Sequence, residues 1–378
     1  MKKIGLYLHF PFCEQKCRYC DFSSWAGKEK QMDAYLDALF QELDSHKGDN
    51  QDVEISSIFM GGGTPTLFHG ELLVKTLEKC KEYFDVLEDA EISIECNPGT
   101  VDKEKLSTLL EGGFNRLSLG LQAWQDHHLD FLGRIHRHKE FEDSVKWALE
   151  AGFTNISADL IFGIPGQTVE EWQESIEKAT ATGINHISAY SLKVEEDTVL
   201  YHWKAQGRFQ EMDDEQERGL YHSGVHLLEE RGFKQYEISN FAQAGYESRH
   251  NLNYWKNGEY IGFGCGAHSY YKSLRRANVQ SVEEYIQRIN VGHSVIASQE
   301  EIDNETEVFE TLMLAFRLNE GINKQGFASR FGFSLTDKYA NHIEELKKQG
   351  LVVEDEHSIR PTALGFDFEN RIALTFLD

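Results

Sequence analysis

Basic residues are scarce in this chain. Its 378 residues hold 38 Lys and Arg against 63 Asp and Glu, a formal net charge of −25. A protein that follows a phosphate backbone needs clustered cations, so this balance argues against a nucleic-acid partner. It equally argues against more than transient contact with an anionic membrane surface. Long apolar runs are absent as well. The opening stretch, MKKIGLYLHFPFCEQKC, is too short and too polar for a signal peptide or a membrane span, which makes the cytoplasm the expected compartment. Proline occurs five times, and no Pro/Ser-rich linker, low-complexity tract or exact repeat interrupts the chain. Disorder is excluded on a large scale, since hydrophobic residues make up 40% and suffice for a sizeable core.

Cysteine is sparse and unevenly placed. There are six, and three of them, Cys13, Cys17 and Cys20, fall within eight residues. A secreted disulfide framework is denser and sits in a shorter chain. The scattered Cys80, Cys96 and Cys265 read as small buried apolar residues. The tight trio, C-x3-C-x2-C, reads as metal binding. Zinc sites usually offer two C-x2-C pairs, or a cysteine pair with a histidine pair, so zinc would need His9 as a fourth ligand. Three thiolates alone suit a cubane iron–sulfur cluster with one iron left open to an exchangeable ligand.

Strand-like apolar runs alternate with helix-like periodic segments. Strands are expected at Ile4–Phe10, Ile55–Met60, Glu91–Cys96, Arg116–Leu121, Asn155–Phe162 and His186–Leu192. Helices are expected near Lys30–Leu43, Gly70–Tyr83, Lys103–Leu110, Phe141–Ala151 and Val169–Thr180, with Thr100 as a cap for the third. Such alternation implies an α/β fold with parallel strands and right-handed crossovers. An open barrel and a doubly wound sheet fit this pattern equally. Both place their sites at the carboxyl ends of strands. Here the cysteine loop follows the first strand and Gly61-Gly62-Gly63-Thr64 the second, Glu95 and Gln122 close the third and fourth, Asp159 lies in the fifth and Tyr190 in the sixth.

Three stretches of chain are expected: a catalytic-type domain over 1–235, a connecting segment over 236–302, and a smaller domain over 303–378. In the last, helices at Glu305–Leu318 and Thr336–Gln349 precede a hairpin at Leu351–Val353 and Asp355–Ser358, a winged-helix-like order. Such modules often bind DNA, but from Asp303 onward there are 8 basic and 14 acidic residues, a net of −6, so a lid or interaction role is expected.

The spacing of Cys13, Cys17 and Cys20, with Tyr19 before the last cysteine, is similar to the signature of the radical S-adenosylmethionine superfamily. In order along the chain stand Tyr7-Leu-His-Phe-Pro-Phe-Cys13, Gly61-Gly-Gly-Thr-Pro-Thr66, Ile94-Glu-Cys-Asn-Pro98, Leu119-Gly-Leu-Gln122 and Asp159-Leu-Ile-Phe-Gly-Ile-Pro165. Together they resemble the oxygen-independent coproporphyrinogen III oxidase family over nearly the whole chain. That resemblance implies a partial (β/α)6 TIM-like barrel, a 4Fe-4S cluster on the three cysteines, and S-adenosylmethionine chelated to the open iron. An electron from the cluster would cleave its carbon–sulfur bond, and a low-potential donor such as a flavodoxin or ferredoxin would supply that electron. By the same resemblance Gly62, Gly63, Thr64 and Glu95 dock the cofactor, Gln122, Arg134 and Asp159 contact a second S-adenosylmethionine, and Tyr7 and Tyr19 lie beside it.

Three features separate the chain from the oxidase itself. The oxidase carries a fourth cysteine two residues after the third, where this sequence has Phe22. The oxidase also has a long N-terminal arm, expected to be missing here because Tyr7 lies so near the start. Finally, His250-Asn251-Leu252-Asn253-Tyr254-Trp255 matches the H-N-x-x-Y-W motif of the family's heme-chaperone branch. If that stretch is helical, His250 and Tyr254 share a face, and the resemblance implies heme contact through His250, Asn251, Tyr254 and Trp255. Gly262-Phe-Gly-Cys265-Gly266 lacks Rossmann spacing; Cys265 as a heme ligand is a lesser alternative. Heme binding and transfer to an acceptor protein is therefore the leading expectation, radical decarboxylation of a porphyrinogen the second, and a zinc-stabilised interaction protein the third.

Overall fold

In a computed structural model, residues 1–48 and 52–377 are described. Six strands, β1 (Lys2–Phe10), β2 (Val53–Gly62), β3 (Asp85–Cys96), β4 (Arg116–Gln122), β5 (Ile156–Phe162) and β6 (His186–Ser191), pair in sequence order, all parallel. The helices between them are α1 (Met32–Ser45), α2 (Gly70–Tyr83), α3 (Lys103–Glu111), the short α4 (Asp126–Leu132), α5 (His138–Ala151) and α6 (Val169–Ala181). Thr100 does not cap α3. Asp102 does, accepting from Lys105 N at 2.8 Å, while the Thr100 hydroxyl turns back to Asn97 O.

Strand side chains alternate between two faces. On β4, Leu117, Leu119 and Leu121 join the main core, whereas Arg116, Ser118 and Gly120 point the other way. The same split holds for Ile92 and Ile94 against Glu95, and for Ala158 and Leu160 against Asp159. Tyr7, Phe59, Glu95, Arg116, Asp159 and Tyr190, one from each strand, line a single cavity. The sheet therefore curls into an open barrel with helices outside and a polar interior, in place of a flat doubly wound sheet.

The stretch 236–302 is no linker. Its strand Tyr260–Phe263 extends the sheet parallel to β1, and Asn240–Ala242 pairs antiparallel with β6. Further antiparallel strands at His268–Tyr271, Leu274–Asn278 and Ile296–Glu301 carry the sheet to its outer edge. Sequence pattern hides this because these strands are short and irregular. Phe263, Val282 and Tyr285 belong to the same core as β1.

Residues 308–376 build a separate core around Leu312, Phe316, Ile359 and Ile372. Helix Asn304–Ala315 and a three-stranded sheet of Ile322–Asn323, Val352–Glu354 and Ser358–Pro361 frame it. The long helix expected over Thr336–Gln349 divides at Tyr339 into Leu335–Lys338 and Ala340–Lys348, and helix Lys324–Phe331 precedes it. This unit is tied back by Ile238 N to Arg317 O at 2.9 Å and by Asn319 N to Tyr236 O at 3.0 Å. Among the described residues no helix is long and apolar enough to cross a membrane.

Candidate functional site at the barrel rim

The loop after β1 carries Cys13, Cys17 and Cys20 at the carboxyl end of the barrel, all three unpaired and half-buried. Backbone bonds hold its shape: Trp25 N donates to Pro11 O, Cys13 N to Trp25 O and Cys20 N to Cys17 O. His9 is not available as a fourth ligand. Its ring is buried, with Nδ1 2.9 Å from the Tyr7 hydroxyl and Nε2 2.7 Å from Ser23 O. The three Sγ atoms do not all lie within 4.8 Å of one another. Tetrahedral zinc holds thiolates about 3.8 Å apart, whereas a cubane spreads them over separate irons. The donor set thus fits a cluster with one open iron, and not a Cys3His zinc site. Burial raises the Cys13 thiol and pushes Cys20 up to about 11, so thiolate formation there waits on a cation such as cluster iron.

The loop faces a cavity of about 400 Å³ that also takes in Gly62, Gly63, Glu95, Gln122, Arg134 and Asp159. Seven of the nine positions expected to meet the cofactor, these six and Tyr19, line this one cavity, whereas Tyr7 lines the cavity below it and Thr64 is buried behind the wall. The glycines are small for a reason inside the protein. Gly62 has φ 109°, and a Cβ there would stand 2.3 Å from the His9 ring; at Gly63 it would stand 2.6 Å from Phe12 O. Gly62 N donates to Glu95 Oε2 at 2.9 Å, which fixes that carboxylate at the wall. Burial and the neighbouring Asp159 raise Glu95 to about 7. Burial also raises Asp159, opposed by hydroxyls such as Ser118, whose Oγ lies 3.1 Å from Oδ1.

Arg134 sits between the cluster loop and the barrel wall. Its guanidinium donates to Cys17 Sγ at 3.3 Å, Asn97 Oδ1 at 2.6 Å and Gly120 O at 3.1 Å. Asn97 in turn donates to Thr64 Oγ1 at 2.8 Å, and Thr64 donates to Cys13 Sγ at 3.8 Å. Thr64, Asn97 and Arg134 thus form one chain linking two cluster cysteines. Asn97 stands in the Ile94-Glu-Cys-Asn-Pro98 stretch, where nothing in the sequence alone signals this role. Gln122 ends β4 at φ 63°, a strained value for a non-glycine, beside a register shift. Its Oε1 is buried with no partner among the described residues. An orphaned acceptor facing a cavity is what a donor on a bound cofactor would satisfy.

Tyr7, His250, Asn251 and Tyr254 lie lower, around a second cavity of about 210 Å³ that shares Glu95, Ser118, Asp159 and Tyr190 with the first. Arg116 also lines it. This residue is 1% exposed with an unpartnered Nε, and went unassigned from sequence; its one signal was a charge opening a strand buried throughout. Helix Arg249–Trp255 plugs the barrel's base. The Glu91 carboxylate receives Arg249 N at 2.9 Å and His250 N at 3.1 Å at that helix's amino end. His250 is 1% exposed. Its Nδ1 lies 2.9 Å from Ser57 Oγ and its Nε2 2.9 Å from the Tyr254 hydroxyl, and burial drives its pKa down to about 3. His250 and Tyr254 do share a face, but that face looks into the barrel. In this conformation His250 presents no free nitrogen to a heme iron, and the space beside it falls below the ~300 Å³ of small ligand pockets. Trp255 stands apart, at the outer end of the helix under Arg317, and Cys265 is fully buried against Tyr35.

Residues 7–179 match the model of the radical SAM superfamily and residues 302–368 that of the HemN C-terminal domain. Heme chaperone HemW of Bacillus subtilis is 38% identical over 98% of both chains, and heme chaperone HemW of Escherichia coli 33% identical over 99% of this chain and 98% of its own. The chain belongs to the HemW family of radical SAM proteins. Coproporphyrinogen III oxidase (HemN) of E. coli shares the fold, with a TM-score of 0.86 at 22% identity over 99% of this chain and 90% of its own. That match is to a radical SAM barrel with its C-terminal domain, in agreement with the architecture above. Membership brings the 4Fe-4S cluster and S-adenosylmethionine with it.

Proposed function

We propose that this protein binds heme and passes it to an acceptor protein, with a cluster on Cys13, Cys17 and Cys20 and S-adenosylmethionine in the rim cavity. The observation that carries this reading is the full-length relation to proteins named heme chaperones, 38% identical across 98% of both chains. Phe22 supports it: at the mouth of the cavity, 60% exposed, it stands where the oxidase family has a cysteine. The cluster, when bound, supplies an open iron and a transferable electron, from a low-potential donor such as a flavodoxin or ferredoxin. The chain's own groups position and shield. Glu95 would accept ribose hydroxyls and Gln122 Oε1 a donor from the bound cofactor, while Arg134 holds Cys17 and Asp159 balances its charge across the cavity. Tyr19 closes a wall of this cavity, and Tyr7 a wall of the smaller one beneath it. Three adjacent free thiols require a reducing compartment, so we place the protein in the cytoplasm. Under anaerobic conditions, with cluster and S-adenosylmethionine, the protein is expected to leave coproporphyrinogen III unconverted; multiple turnovers would establish a decarboxylase instead.

Glu95 gives a pH dependence with a defined sign. A carboxyl raised to about 7 gains its charge as pH rises through 7, and only the charged form accepts two ribose hydroxyls well. Affinity for S-adenosylmethionine should therefore rise roughly tenfold between pH 6 and pH 8. Glu95→Gln should weaken binding at pH 8 and flatten that slope, measured by calorimetric titration of the loaded protein. A slope that survives in Glu95→Gln would assign it to another group.

A further inference from the structure

The first turn of α4 carries two adjacent histidines, and both face one carboxylate on α6. His127 Nε2 lies 3.2 Å from Glu171 Oε1, and His128 Nε2 lies 3.1 Å from Glu171 Oε2. Among the described residues no other set of three His, Cys, Asp or Glu brings its ligand atoms within 4.8 Å of one another. Neither the radical chemistry nor heme binding uses these residues. We propose that His127, His128 and Glu171 hold a divalent transition ion of the zinc class, and that this ion braces the helix from which the cluster loop hangs.

The spacing fits. Bonds of about 2.0–2.2 Å from nitrogen and oxygen to zinc place neighbouring ligand atoms about 3.4 Å apart, close to the separations found here. The ligands are preset. Glu171 also accepts from Thr168 N at 3.0 Å in the capping box of α6, so its carboxylate is oriented before any ion arrives. His128 is buried while the His127 side chain is 64% exposed, so the ion would be anchored from inside and open to water at its fourth position. Two imidazoles and one carboxylate suit zinc, cobalt or nickel rather than calcium or magnesium, which prefer oxygen alone.

The link to the cluster runs through seven residues. The carboxyl end of α4 carries the cysteine loop: Leu132 O accepts Arg18 N at 2.9 Å, Phe131 O accepts Arg18 Nη1 at 3.2 Å, and Gly133 O accepts Gln15 Nε2 at 2.8 Å. Gln15 lies between Cys13 and Cys17, and Arg18 between Cys17 and Cys20. An ion that pins the first turn of α4 to α6 restricts the end that clamps these residues, and so slows loss of the cluster.

The test is equilibrium dialysis of the cluster-loaded full chain against Zn²⁺, with iron measured alongside. One zinc should bind without loss of iron. His127→Ala, which removes an exposed ring, and Glu171→Gln should each weaken zinc binding at least tenfold. Wild-type protein with zinc should release cluster iron to a chelator several-fold more slowly than without it, and His127→Ala should show no such difference. The site is overturned if no zinc binds, if zinc binds only as iron leaves, or if both variants bind as tightly as wild type. The brace is overturned if zinc binds through these residues and the rate of iron release does not change.

Discussion

Cys17→Ala should abolish cluster assembly. Anaerobic reconstitution of the wild-type chain should give about four irons and four sulfides, and the variant close to none. Two thiolates cannot hold a cubane that already leaves one iron without a protein ligand. Cys17 is also the sulfur that Arg134 touches at 3.3 Å, so the substitution removes both a ligand and the anion that this guanidinium faces. The loop itself should survive, because its backbone bonds involve Pro11, Cys13 and Trp25 and its side-chain ties come from Gln15 and Arg18. Iron and acid-labile sulfide analysis checks the result. Cys80→Ala, at a buried thiol in α2, serves as the control and should load normally. A wild-type chain that takes up no iron and binds a zinc that is lost in Cys17→Ala would return the trio to the zinc reading.

His250→Ala should cost about 3–5 kcal/mol of stability. A fully buried imidazole is lost, its volume becomes cavity, and the Ser57 and Tyr254 hydroxyls are left without their partner. Urea denaturation checks this against the wild-type chain. The same substitution should leave the Soret band of the heme complex where it is, because a ring with both nitrogens bonded inside the barrel does not ligate iron from outside. A moved Soret band with unchanged stability would show that helix Arg249–Trp255 leaves the barrel base to meet heme, and would restore His250 as an axial ligand.

These two residues mark how far the sequence could be read. Cys13, Cys17 and Cys20 are legible because three thiols in one loop need few contacts to explain them. The parallel strands are legible because strands covered on both sides carry long runs such as RLSLGLQ. The convergence of Glu95, Gln122 and Asp159 followed from the rule that parallel strands gather their sites at one end, whereas Arg134, beyond α4, was indicated only by the family resemblance. His250 was not legible. A histidine near aromatics looks the same in sequence whether it faces a ligand or fills a barrel, and only the positions of Ser57 on β2 and Glu91 on β3 decide. The run after β2 was read as room for a cofactor, whereas Gly62 and Gly63 are first required by His9 and Phe12. The stretch 236–302 was missed as sheet because its strands are short and irregular, and two of them pair with β1 and β6, far away in the chain. His127 and His128 drew no notice, since their shared partner Glu171 lies on another helix.

The cluster-loaded chain should carry heme. Anaerobic titration of the reconstituted full chain with heme, followed in the Soret region with iron content recorded before and after, tests it most directly. A saturable complex of one heme per chain is expected, with a Soret band distinct from free heme and the cluster retained. A titration that never saturates, with a spectrum no different from heme in buffer, would contradict it.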